Sequence, residues 1–197
     1  MTKAIAIYFS NFIVHKGICT KEKEKVLCYG FELLVTSIIG VLLMVLVSII
    51  MKEPISWLLF LIGFAPLRTT AGGYHASTHW GCYIISTLMY AICLLISIHI
   101  NINSTALILM TLISVCVVFA LSPVEAVNKP LNKETKEINR RNSLSIILFE
   151  LLVIIFICCL GWVNKAAEMF CLGIFAAVLS LGVTHIKNIF VGGNGND

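Results

Sequence analysis

The sequence is poor in charge and poorest of all in aspartate. Only 12% of its 197 residues are charged, and its single aspartate is the last residue, Asp197. A soluble domain carries about a quarter charged residues, so composition excludes an ordinary soluble fold. The missing aspartates exclude an intramembrane aspartyl protease, which needs two of them. No carboxylate stands near the histidines to make an H-E-x-x-H metal site. The eight cysteines, Cys19, Cys28, Cys82, Cys93, Cys116, Cys158, Cys159 and Cys171, show no C-x-x-C spacing. Neither a disulfide framework nor a zinc ribbon is expected, and most of these thiols read as small buried hydrophobes. No A-x-A-like site follows a short apolar region near the start, so no removable signal peptide is expected. No cofactor and no nucleic-acid partner is expected.

Hydrophobic side chains take the place of charge, at 59% of the chain with a mean hydropathy of +0.98. These values predict an all-α, polytopic membrane helix bundle in one domain spanning residues 1–197. Residues 2–18 place Ile5, Tyr8, Phe9, Phe12 and Ile13 at helical spacing. They read either as an amphipathic helix on the membrane surface or as a helix packed on the protein's own bundle. Charged residues 21–25 open a span over residues 26–51, and Glu32 lies one or two turns inside it. An acid there either faces a partner or a wet cavity, or sits solvated near the headgroups. Residues 55–67 are about a dozen apolar positions, too few for a crossing of about 20, and so predict a half-length helix ended with the help of Pro66. Spans are expected over 82–100, 105–121, 144–163 and 169–186, making about five in all. Residues 123–143 read as a basic loop and 191–197 as a flexible tail.

The distribution of positive charge predicts an orientation. With the N-terminus in the cytoplasm, twelve of the fourteen Lys and Arg residues fall on that side, and only Lys52 and Lys165 fall outside. Cytoplasmic loops carry the excess of Lys and Arg. Both termini, the polar loop at 68–81 and the basic loop are therefore expected to be cytoplasmic, where a thiol stays reduced.

Chemistry concentrates in residues 68–82, which hold Arg68, Thr69, Thr70, His75, Ser77, Thr78, His79 and Cys82 among three glycines. A cysteine nucleophile needs a base, and His75 is the nearest one. On a straight helix the two would stand about 10 Å apart at ~1.5 Å per residue, too far for a hydrogen bond. The segment is therefore expected to bend at Gly72, Gly73 and Gly81, with His75 on a loop and Cys82 in the first turns of the next helix. That helix N-terminus would favour the thiolate. A metal reading, with His75, His79 and Cys82 as ligands, lacks a fourth ligand nearby. A polar cavity of a peptide transporter or channel is a further alternative from spacing alone.

The run Arg68 to Cys82, with Ala71-Gly-Gly-Tyr-His75, resembles the signature of the accessory gene regulator B family, membrane endopeptidases of bacterial peptide quorum sensing. Residues 122–132, SPVEAVNKPLN, are similar to that family's second recognisable region. The resemblance implies a bacterial cell-membrane enzyme acting on a propeptide built from an amphipathic leader, a signal segment and a charged tail. It implies that Cys82 attacks the bond before the tail, with His75 as its base. An acyl-thioester then passes to an internal thiol or hydroxyl of the peptide, giving a thiolactone or lactone. It further implies a homodimer in the lipid bilayer. Ser77, Thr78 and the amides near Gly81 and Cys82 are candidates for the oxyanion. Arg68 could hold a carbonyl or a lipid phosphate, and Glu32 is the candidate to orient the histidine. Lys133, Lys136, Arg140 and Arg141 would either attract an acidic tail or serve topology alone.

Overall fold

The computed structural model describes residues 2–17, 20–73, 79–125 and 132–193, giving only the backbone for His79, Trp80, Cys82 and a few other helical positions. Among these residues the chain forms seven α-helices and no strand. They are α1 (Thr2–His15), α2 (Glu24–Ile50), α3 (Ser56–Thr70), α4 (His79–His99), α5 (Ser104–Leu121), α6 (Lys133–Cys159) and α7 (Lys165–Gly193). Four of them, α2, α5, α6 and α7, are long and apolar enough to cross a membrane. The described apolar part of α4, Tyr83–His99, is shorter, and α3 has only 15 residues. The chain is a multi-pass membrane helix bundle.

Helix α7 is the hub. Its span is 67% buried inside the bundle, whereas α2, α5 and α6 are each 22% buried and present most of their surface outward. It can be central because its small residues admit close neighbours. A Cβ on Gly173 would strike the backbone of Phe60, and one on Gly63 would strike that of Phe170 and come within 3.1 Å of the Ile174 nitrogen. The backbones of α3 and α7 therefore meet at these two glycines. Phe60 stacks on Phe64 and meets Tyr90 edge-on, each with ring centroids 5.2 Å apart, to fill the space around that crossing.

Polar contacts fix the register of the other helices. On α2 the buried residues Thr36, Gly40, Met44 and Ser48 recur every fourth position, forming one face. Ser48 hydrogen-bonds the Tyr90 hydroxyl of α4, and a Cβ on Gly40 would lie 3.7 Å from the Tyr83 ring. Both contacts advance together, so α2 and α4 run parallel. Helices α5 and α6 run antiparallel, joined by the Ser122 and Ser143 hydroxyls at 2.6 Å and by Cys158 donating to the Ser104 carbonyl at 3.9 Å.

Three boundaries differ from the sequence reading. Helix α3 continues four residues beyond Pro66, because proline disrupts the turn before it and not the one after. Arg68 thus sits in a helical turn. The polar stretch read as a loop over 123–143 is helical from Lys133 onward. Asn132 caps it, its Oδ1 accepting from the Thr135 amide at 2.7 Å, and Glu134 lies in the favourable first turn. The tail is helical to Gly193, and residues 194–197 lie outside the described set. Helix α1 packs along α2, with Ala6 and Ser10 buried and Phe9 stacked on Phe31 at 5.7 Å. Its residues Ile7, Tyr8, Phe9 and Phe12 stay exposed, an apolar outer surface suited to lipid.

Candidate active site

The polar loop leaves α3 after Thr70 and is fixed at once. Ala71 accepts a hydrogen bond from the Val124 amide at 3.0 Å, and Gly72 forms an isolated parallel bridge with Val124. Gly72 has φ +89° and Gly73 φ +142°, conformations that a side chain disfavours. Space is as demanding as conformation. A Cβ at position 72 would strike the Val124 carbonyl, and one at 73 would lie 2.6 Å from Arg68 Nη1 and 2.9 Å from Ser180 Oγ. Gly73 is therefore flanked by the half-buried guanidinium of Arg68 and the buried hydroxyl of Ser180 on α7.

The partner segment, residues 122–125, is held in turn from α6 and α7. Arg140 donates from Nη1 to the Ser122 carbonyl at 2.8 Å and from Nη2 to the Phe119 carbonyl at 3.4 Å, with its guanidinium 5.9 Å from the Phe119 ring centre. Lys136 pairs with the Glu125 carboxylate at 2.9 Å. Asn188 Nδ2 donates to the Glu125 carbonyl at 2.7 Å. The two regions that stood apart in sequence, 71–73 and 122–125, thus form one layer of irregular chain at one end of the bundle.

The described part of α4 opens at His79, which puts the backbone of Cys82 near the start of that helix. Such a position favours a thiolate and can hold an oxyanion. His75, Ser77 and Thr78 lie outside the described residues, as do the side chains of His79 and Cys82. The metal reading falls on those same side chains. Gly81 is half-buried near the start of α4. Glu32 is half-buried on α2, one turn before Thr36 and two before Gly40 on the helix's buried face. Lys133 and Arg141 are exposed on the first turns of α6, whereas Lys136 and Arg140 have the intramolecular partners given above. An apolar groove of about 340 Å³, lined by Ile62, Phe149, Val153, Trp162 and Phe170 among others, sits toward the opposite end and carries no ionisable group.

Two features escaped the sequence reading. Ser180, Thr184 and Asn188 recur every fourth residue of α7 as a polar stripe whose two ends, Ser180 and Asn188, meet the loop layer; their spacing was the available signal. Glu150, in the middle of α6, is 3% exposed with neither carboxyl oxygen hydrogen-bonded.

Comparison with known proteins gives the family of the chain. The model of accessory gene regulator B matches residues 6–183. The chain belongs to the accessory gene regulator B family. It is 30% identical over 126 residues to accessory gene regulator protein B of Staphylococcus aureus strain MW2, covering 64% of this chain and 66% of that one. It is 29% identical over 160 residues to an AgrB-like protein of Clostridium beijerinckii, covering 77% and 78% respectively. The chain thus spans just under two thirds of the S. aureus relative's length. No solved structure matches.

Proposed function

We propose that this member of the accessory gene regulator B family is a membrane cysteine endopeptidase and cyclase serving peptide quorum sensing. The observation that carries the reading is the backbone of Cys82 near the start of α4, with His75 falling in sequence between it and the bridged Gly72. His75 takes the Cys82 thiol proton, the resulting thiolate attacks the carbonyl before the propeptide's tail, and His75 passes that proton to the leaving amine. The tail departs and an acyl-thioester remains on Cys82. A thiol or hydroxyl within the peptide then attacks that carbonyl, closing the ring and returning the proton to the Cys82 sulfur. Exchange of one thioester for another is nearly balanced, so holding the peptide close and excluding water decides the yield of ring over hydrolysis.

Glu32, on the buried face of α2, is assigned as the group that orients His75. Ser77, Thr78 and the amides at Gly81 and Cys82 act on the oxyanion, and Arg68 on a substrate carbonyl. Lys133 and Arg141, exposed on α6, attract an acidic tail, with Lys136 and Arg140 behind them fixing the loop. The enzyme works as a homodimer with this end in the cytoplasm of a bacterial cell, consistent with the gathering of Lys and Arg there.

Mass spectrometry of the purified protein incubated with its propeptide tests the reading. A wild-type adduct on Cys82 and a released tail, both absent in Cys82→Ala and His75→Ala, are expected. Cleavage by the Cys82→Ala protein would end it and leave transport through a polar cavity or a metal-dependent hydrolase as the mechanism.

A further inference from the structure

We propose that Asn188 is a positioning residue of the cleavage site, holding the 122–125 segment so that the bridged loop starts in the right place. The inference rests on the endopeptidase reading and extends it to α7, a helix that contributes none of the residues assigned above. It follows a chain of contacts. Asn188 Nδ2 donates to the Glu125 carbonyl at 2.7 Å. The adjoining Val124 amide donates to the Ala71 carbonyl at 3.0 Å, and Val124 bridges Gly72. His75 follows Gly72 by three residues, a reach of at most about 11 Å of chain. The anchor on Glu125 thereby limits where the base can act.

Two further contacts give α7 this task and distinguish Asn188 from its stripe-mates. Ser180, one end of the stripe, lies against Gly73, so α7 touches the loop from a second direction. Thr184, between them, donates only back to the Ser180 carbonyl at 2.9 Å, an intrahelical bond that carries nothing outward. Glu125 also receives Lys136 from α6 on its carboxylate at 2.9 Å. The main-chain bond from Asn188 fixes the backbone at 125, while the Lys136 pair fixes only its side chain. A half-buried amide-to-carbonyl bond has one geometry, whereas an exposed ion pair is loose.

The test compares Asn188→Asp, Asn188→Ala, Asn188→Gln and Thr184→Val in proteoliposomes. Asparagine to aspartate keeps the shape and replaces the donor with an acceptor facing the carbonyl. Two readouts are followed: kcat and KM for propeptide cleavage, and the pH profile of Cys82 alkylation by iodoacetamide, read on its peptide by mass spectrometry. Displacing the loop is expected to lower kcat by about 10- to 100-fold in Asn188→Asp and Asn188→Ala, the cost of a misplacement near 1 Å. KM stays unchanged, marking an effect on the reacting geometry. The His75-dependent part of the alkylation profile is expected to shrink in step. Asn188→Gln, which retains a donor amide, recovers part of the rate, and Thr184→Val behaves as wild type. Wild-type kcat and alkylation in correctly inserted Asn188→Asp and Asn188→Ala would overturn the inference while leaving the endopeptidase intact. A wild-type protein that cleaves nothing, with Cys82 alkylation indifferent to His75→Ala, would overturn both.

Discussion

The two ends of the bundle are closed in different ways. At the end holding the short turns, Lys165 pairs with Glu53 at 2.8 Å, and the buried Glu168 accepts from the Ser97 hydroxyl at 3.0 Å and the Ile102 amide at 3.1 Å. Asn103 and Asn164 cap the helices that start there. Side chains at helix termini do all the joining, and little irregular chain is needed. At the other end, Asn188 and Arg140 hold main-chain carbonyls of residues 122–125, which in turn hold residues 71 and 72. There the helices serve as a frame for irregular chain. Closure is what the first end accomplishes, and presentation of a loop is what the second does.

Substitutions can break that contrast. The largest effect is expected from Gly72→Ala, since a methyl would strike the Val124 carbonyl on a backbone with φ +89°. Cleavage should fall by at least about 100-fold, while circular dichroism still reports a helical bundle. Next comes Glu168→Ala at the closing end, which leaves the buried Ser97 hydroxyl and the half-buried Ile102 amide without their acceptor. Unfolding in detergent should show a loss of about 1–3 kcal/mol, with cleavage per folded molecule unchanged. An equal loss of kcat would erase the distinction between the ends.

Glu150→Met is expected to move stability the other way. The Glu150 carboxyl is buried without a hydrogen bond, a burial that costs on the order of 1–3 kcal/mol, so an apolar side chain of similar length should raise the melting temperature. A lower melting temperature would mean that the carboxyl has a partner in the assembled protein. The smallest effect sharpens the contrast most. Lys136→Met and Lys165→Met each break one exposed ion pair, and each should cost less than about 1 kcal/mol of stability. Only the Lys136 variant, whose partner Glu125 belongs to the loop layer, is expected to slow propeptide cleavage.

Much of the framework was legible in the sequence because lipid-facing helices announce themselves by apolar length. Spans α2, α5 and the apolar parts of α6 and α7 follow from runs of hydrophobes, and the dozen apolar residues before Arg68 correctly predicted a short α3. The bend expected between His75 and Cys82 falls on residues 74–78, outside the described set. Helix α6 was read too short because its first three turns are polar, and hydropathy is silent there; only the Asn132 cap marks the start. Pro66 misled because its effect acts on the turn before it. The layer joining 71–73 to 122–125 was not legible. Its bonds link residues some fifty to sixty positions apart, and nothing in local spacing reveals that Asn188 reaches the carbonyl of Glu125. The polar stripe of α7 stood in the sequence, but an isolated serine and threonine in a span satisfy themselves within the helix as readily as they face a neighbour.

The contact of α3 with α7 through Gly63 and Gly173 has a mechanical meaning. Because α3 meets α7 backbone to backbone and Asn188 grips the loop layer further along the same helix, α3, α7 and residues 122–125 are coupled as one piece, and a Cβ that wedged the two glycines apart would shift the loop layer with them.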